Sequence, residues 1–341
     1  MPDRSDTITS FLRTTEWADA AVQPLAGDAS MRKYLRIGPN SSGRPAVLMD
    51  ADPALGNDTG PFIKITDYLR SLSLSAPEIY ARDEGAGLLL IEDLGDALFA
   101  RVTQTDPDME ETLYAHATDV LLHLHRAAPP ALTEYDTAQM TEMAALAFDW
   151  YALGATGTLP TAARAAFTKD IAGLLDGAHC TPSVLIQRDY HAENLLWLPE
   201  RDGPARVGLL DYQDAQLGHP AYDLVSLLKD ARRDVSPDIE TQMIARYITA
   251  SGSDRQAFET AYHVLGLQRN LRILGVFARL SFLHNKPGYV DFIPRVWAFI
   301  ERDLRHPACA PLAPALTAAL PPPTPDILES LKAQCGTHRT P

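Results

Sequence analysis

Near its middle the chain carries three short apolar runs, 183–187 (SVLIQ), 193–198 (ENLLWL) and 206–211 (RVGLLD). Runs of this length are too short for ordinary helices and suit strands. On both sides the periodicity is helical, at 108–126, 137–153 and 161–176 before them and about 219–230, 236–250, 254–272, 274–284 and 289–304 after them. A chain built this way closes a small sheet inside a helical body. The polar loops of that sheet, with Asp189 and Asn194 in one and Asp211 ending the third run, fall at strand ends.

The first hundred residues read differently. Ile8, Phe11, Leu12 and Val22 predict an N-terminal amphipathic helix. After the Gly27-Asp28-Ala29-Ser30 turn, Met31, Lys33, Leu35 and Ile37 alternate with Arg32, Tyr34 and Arg36, a strand of period two. The turn 39–45 (PNSSGRP) and the run 46–50 (AVLMD) complete a hairpin, and Phe62, Ile65, Leu69 and Leu72 mark a helix with Pro61 in its first turn. Two more strands, 76–83 and 87–95, end the β-rich part. The expected organisation is α+β: a small β-rich N-lobe (1–94), a larger, mostly helical lobe (95–306), and an extended tail (307–341) that opens with seven of the 26 prolines. No internal repeat is present. A cleft between two lobes is a common ligand site.

Composition narrows the classes. With 46% hydrophobic and 22% charged residues, wholesale disorder is excluded. A net charge of −14 argues against a nucleic-acid partner, which needs a basic footprint. No apolar stretch of membrane-spanning length occurs, and the first residues lack a signal-peptide core, so no membrane partner and a cytoplasmic location are expected. Cys180, Cys309 and Cys335 suit a reducing compartment, and Cys180, which lies just before a strand, is not expected to be a catalytic nucleophile. His116 and His123 share a helical face while His125 does not, and no ligand cluster completes a metal site there.

Phosphoryl transfer asks little covalent chemistry of a protein: an acceptor hydroxyl held in line, a carboxylate to take its proton, and magnesium on the phosphate oxygens. Asp189 can supply the carboxylate, and Asn194 and Asp211 are hard oxygen ligands. Taken alone, D-x-x-x-x-N is a frequent chance pattern and a strand-terminal Asp is usually a cap. The combination of strand, D-x-x-x-x-N, strand, Asp211, and then Pro220-Ala221-Tyr222-Asp223-Leu224 is more specific.

These motifs resemble the aminoglycoside phosphotransferase-like (APH) family of small-molecule kinases. The family's H-G-D-x-x-x-x-N loop matches 187–194, with Gln187 and Arg188 in place of His and Gly, and its I-D-F/W segment matches Leu210-Asp211-Tyr212. The resemblance covers roughly residues 9–305. It implies a bilobal, protein-kinase-like fold and an ATP- and magnesium-dependent phosphotransferase acting on an alcohol group. By it Asp189 is the catalytic base, Asn194 and Asp211 hold the metal, and Asp223 is a structural brace of the loop. The Gly27–Ser30 turn is either a phosphate cover or an ordinary hairpin turn. Met49 stands in the slot of the family's third-strand Lys, so Arg32, Lys33 or Arg36 is expected to supply that charge. Glu92, Asp93 and Leu94 form the connector that would meet adenine.

The strings G-D-A-S-x-R-x-Y-x-R at 27–36 and V-L-M-D at 47–50, and the segment 268–280, resemble a narrower group, the anomeric sugar kinases of bacterial cell-wall recycling. That resemblance implies phosphorylation of the C1 hydroxyl of N-acetylmuramate and N-acetylglucosamine, with a small-molecule sugar as the partner. Sugars are held by planar polar groups and an aromatic face, so Trp150, Tyr151, Glu193, Asp214, His219 and Arg269 are the candidate lining residues. Trp150 also reads as core and His219 as a helix cap. Arg269, Arg272 and Arg279 read either as receptors of the lactyl carboxylate or as a helix face paired to acidic neighbours. An aminoglycoside or other hydroxyl kinase, and a pseudokinase binding module, are the alternatives. The oligomeric state is not legible.

Overall fold

The computed structural model describes residues 3–25, 32–178 and 183–337. They form two compact units, 1–127 with 192–215 and 128–191 with 216–341.

In the first unit α1 (Arg4–Leu12) precedes β1 (Val22–Leu25), β2 (Lys33–Ile37) and β3 (Ala46–Asp50). Then come α2 (Gly60–Ser71), β4 (Ile79–Asp83), β5 (Leu88–Glu92), α3 (Phe99–Thr105) and α4 (Glu110–His125). The five strands make one antiparallel sheet in the order β1-β2-β3-β5-β4. Period-two alternation gives it two faces. Ile37, Ala46, Leu48, Leu88 and Leu90 pack with Phe11, Leu12 and Trp17 into one cluster. Burying each of these leucines is worth roughly 2 kcal/mol. The other face carries Tyr34, Met49 and Leu89, neighbours in register across three strands. Val22 belongs to β1, paired with Ile37, and not to the N-terminal helix, because turns over 13–19 end that helix first.

The chain lays down β6 (Val184–Ile186) in the second unit and returns to the first for β7 (Leu195–Trp197) and β8 (Val207–Leu209), an antiparallel pair. A Cβ on Gly208 would lie 3.1 Å from Leu94 and 3.2 Å from Leu196, so the residue there has to be small.

The second unit contains α5 (Thr137–Leu146), a π-helical turn (Ala147–Ala152), α6 (Leu153–Thr156) and α7 (Thr161–Gly177). β9 (Gln216–Gly218) pairs with β6. It is three residues long and left no periodic signal. The unit continues with α8 (Ala221–Leu228), α9 (Pro237–Ser251), α10 (Arg255–His284), α11 (Ile293–Asp303), α12 (Ala313–Ala319) and α13 (Pro325–Ala333). α10 is one helix of 30 residues where two were expected. No breaker stands at Ile273, and Gly275 is needed for contact instead: a Cβ there would lie 2.2 Å from the Leu146 carbonyl carbon.

The proline-rich tail is helical and not extended. Pro314 and Pro325 sit in the first turns of α12 and α13, where a missing N–H costs nothing, and Leu312, Leu316, Leu320 and Leu331 are buried. Residues 95–127 and 192–215 group with the β-sheet, and 307–337 with the second unit, so the compact units divide elsewhere than residues 94 and 306. No helix among the described residues is long and apolar enough to cross a membrane.

Candidate active site

The site residues are built separately by the two units. In the second unit, β6 delivers the chain to Gln187, Arg188 and Asp189. Arg188 has a positive φ of 72°, and Asp223 holds this strained turn. Its Oδ2 accepts the Gln187 N–H at 2.6 Å and its Oδ1 the Arg188 N–H at 2.9 Å. Asp223 sits on α8, which follows from β9 through His219, whose Nδ1 accepts the Ala221 N–H at 3.0 Å. Complete burial pushes the Asp223 carboxyl up to about 7 against the pull of those two donors.

Asp189 behaves oppositely. Burial pushes its carboxyl up, but the Arg272 and Arg269 guanidinium groups, with Arg188, outweigh it and hold it below the usual carboxylate range. Asp189 is therefore an anion across ordinary pH. His191 is lowered to about 4, chiefly by burial, and is neutral. Arg272 donates to the Tyr222 hydroxyl at 3.4 Å, Arg269 to Ser226 Oγ at 2.7 Å, and Arg188 lies 5.0 Å over the Tyr135 ring. The sequence leaves Arg272 either as a receptor of an acceptor carboxylate or as part of a helix face paired to acidic neighbours, and the structure sets it beside the Asp189 carboxylate. Its i, i+3 spacing from Arg269 on α10 was the available signal for its place beside Asp189.

In the first unit, the pairing of Leu195 with Leu209 places Asn194 opposite Leu210, whose N–H it accepts at 3.0 Å. Asp211 is next along the chain, exposed and with a positive φ of 56°. Its Oδ1 accepts the Gln213 Nε2–H at 2.8 Å. Gln213, unremarked in the sequence, thus fixes one oxygen of the strained Asp211. Tyr212 is anchored beneath by the Thr66 hydroxyl at 2.7 Å and by stacking on Phe62 at 5.3 Å. Tyr34 interacts electrostatically with Arg32 and Asp211 and is raised, first by burial.

Of the expected nucleotide residues, Gly27, Asp28, Ala29 and Ser30 lie outside the described residues. Arg32 is beside Tyr34, on whose sheet face Met49 also lies, fully buried. Lys33 has the parity of Leu35 and Ile37, the opposite face. Arg36 is paired with Asp93 at 2.7 Å and Asp96 at 2.9 Å, so it carries no spare charge. Glu92 is ion-paired with Arg201, and Leu94 packs toward Gly208.

Of the expected sugar residues, Glu193 and Asp214 are exposed in the first unit. Trp150 is half-buried in the π-helical turn, 6.3 Å from the Phe282 ring. Tyr151 is fully buried, with its hydroxyl donating to the Pro321 carbonyl at 2.7 Å, which makes it a core residue. His219, half-buried, caps α8 through Nδ1 and packs on Phe258 at 6.1 Å. Arg269 is 4% exposed. Among the histidines, His123 Nε2 bonds the Leu72 carbonyl at 2.9 Å and His116 packs on Trp197 at 5.1 Å.

Magnesium takes one or two protein oxygens and fills the rest of its shell with water and phosphate. An exposed carboxylate with one oxygen pinned by Gln213, close in the ladder to a carboxamide, fits that demand.

The model of the phosphotransferase enzyme family (APH) matches residues 21–261. A protein of Caulobacter vibrioides named N-acetylmuramate/N-acetylglucosamine kinase is 38% identical, covering 91% of this chain and 95% of its own. A protein of the same name from Pseudomonas putida is 32% identical over 89% of this chain and 91% of its own. Among solved structures, choline kinase LicA from Streptococcus pneumoniae superposes with a TM-score of 0.58 at 14% identity, covering 90% of this chain and 99% of that one. Macrolide 2'-phosphotransferase MphH from Brachybacterium faecium gives 0.57 at 17% identity, over 95% and 99%. The fold is the α+β fold of these kinases, and the chain belongs to the phosphotransferase enzyme family.

Proposed function

We propose that the protein is an ATP- and magnesium-dependent sugar kinase that phosphorylates the anomeric C1 hydroxyl of N-acetylmuramate and N-acetylglucosamine. The observation that carries the reaction class is Asp189, a half-buried carboxylate kept anionic by Arg272 and Arg269. The choice of acceptor rests on relatives that carry this name at 38% and 32% identity over about nine tenths of the chain.

In this reading the Asp189 carboxylate accepts the C1 hydroxyl proton as the hydroxyl oxygen forms its bond to the γ-phosphorus and ADP departs with the bridging oxygen. An anomeric hydroxyl is more acidic than an ordinary alcohol, and the transition state is loose, so a weak base suffices. Asp223 and the Arg188 turn orient the base. Asn194 and Asp211 would hold magnesium, which when bound neutralises phosphate charge. Arg32 supplies the cation for which Met49 leaves no group.

The test is to incubate the protein with ATP, magnesium and N-acetylmuramate, N-acetylglucosamine, simple hexoses or kanamycin, and to read products by phosphorus NMR. A 1-phosphate on the N-acetylated sugars is expected. Phosphate on kanamycin alone, or on none, overturns the reading.

A further inference from the structure

The arginines of the second unit differ in their partners. Arg164, Arg255, Arg295 and Arg302 each meet a carboxylate within 2.9 Å. The α10 arginines Arg269 and Arg279 make no ion pair among the described residues. Arg269 is nine-tenths buried or more, and its Nε and Nη1 have no acceptor; the buried Nε of Arg279 likewise has none. Its surroundings work against its charge: burial first and the neighbouring Arg272 second lower its affinity for its proton. Arg269 and Arg272 have the Asp189 carboxylate near them, but at Arg279 no acidic group acts on the guanidinium.

A half-buried cation beside another cation, with no anion near it, is costly unless a ligand supplies the anion. Helix geometry says where that anion goes. Arg272 and Arg279 are seven residues apart, so they differ by about 20° around the axis and about 10 Å along it. Arg272 is the cation that acts most on Asp189. The stripe that begins beside the base therefore runs about two turns further to a guanidinium with donors to spare. The same stretch of α10 is seated by Gly275 against the Leu146–Ala147 backbone, where the π-helical turn bearing Trp150 begins. Guanidinium forks match carboxylates.

We infer that Arg279, assisted by Arg272, receives a carboxylate on the acceptor, remote from the hydroxyl that Asp189 deprotonates. The inference rests on the sugar-kinase reading and sharpens it: the site is built for an anionic sugar, and N-acetylmuramate, whose lactyl ether carries a carboxylate, fits it where N-acetylglucosamine leaves the guanidinium without its anion. Arg279 is a specificity residue.

The experiment measures kcat and KM for N-acetylmuramate, its neutral lactyl amide and N-acetylglucosamine with the wild type, Arg279→Gln and Arg279→Lys. The wild type is expected to favour the acid over the amide by about 10-fold or more, as for a charged hydrogen bond. Arg279→Gln lowers the ratio of kcat/KM for N-acetylmuramate to that for N-acetylglucosamine by about 10- to 100-fold, mainly through KM, and erases the acid–amide preference. Arg279→Lys restores part of both. Equal loss on both sugars, or a wild type indifferent to acid and amide, overturns the inference; the second result does not depend on any variant folding. A wild type that phosphorylates none of the three acceptors instead defeats the sugar-kinase reading itself.

Discussion

Asp189 and Asp211 are both carboxylates at the ends of short strands, and their surroundings are opposites. Asp189 is half-buried, and the arginines of α10 keep it charged. Asp211 is exposed, with one oxygen pinned by Gln213 and its backbone in the left-handed region. Burial with cations makes a carboxylate a fixed anion that can take a proton without being solvated by water. Exposure with a fixed backbone suits a carboxylate to meeting a hydrated cation. One residue type thus performs proton transfer or metal binding according to its surroundings.

The comparison breaks most directly at these two residues. Asp189→Asn is expected to lower kcat on the order of 10²- to 10⁴-fold, with an unfolding midpoint close to wild type. Ordinary turnover would remove Asp189 from the base role. Asp211→Ala should abolish turnover, and full rescue by excess magnesium would argue against direct ligation. The effect of Gln213→Ala should be smaller, because the ligand stays and only its anchor is lost: the magnesium concentration for half-maximal rate rises about 10-fold or more. An unchanged magnesium titration would deny Gln213 that role.

The surroundings of Asp189 also predict a dependence of stability on pH. His191 is neutral in the fold down to about 4 but titrates near 6.5 when unfolded, so the unfolded state binds more protons in that window. Its contribution is present above the unfolded value and is lost as pH falls toward 4. Asp223 stays protonated in the fold up to about 7, while its unfolded carboxyl ionises near 4. Its contribution is present at low pH and is lost as pH rises to 7. The two slopes, each about 1.4 kcal/mol per pH unit, oppose one another between about pH 4 and 6.5. His191→Gln should unmask the Asp223 slope, so that urea unfolding shows stability falling with pH relative to wild type. Parallel curves would contradict this.

The smallest effect tests which aromatic residue is core. Tyr151→Phe should cost about 0.5–1.5 kcal/mol, the worth of its bond to the Pro321 carbonyl, with kinetics unchanged. A raised KM for sugar would return Tyr151 to the lining set.

What could be read from sequence follows the same division. The positions of Asp189, Asn194 and Asp211 depend on short strands and tight loops, whose signals are local, and so does the α2 helix. The fates of Tyr151 and His219 depended on Pro321 and on the start of α8, contacts that no local pattern encodes. The proline-rich tail misled because proline opens a helix as readily as it prevents one, and only the burial of Leu316, Leu320 and Leu331 distinguishes the cases. Lys33 and Arg32 were equivalent as charges, and sheet parity separated them.

The division of labour between Asp189 and Asp211 is tested most directly by the binding of magnesium–ATP to Asp189→Asn and Asp211→Asn, followed by calorimetry. The account predicts that Asp189→Asn binds it like wild type yet does not turn over, while Asp211→Asn loses magnesium-dependent affinity. Equal loss of affinity in the two variants, or none in either, would contradict it.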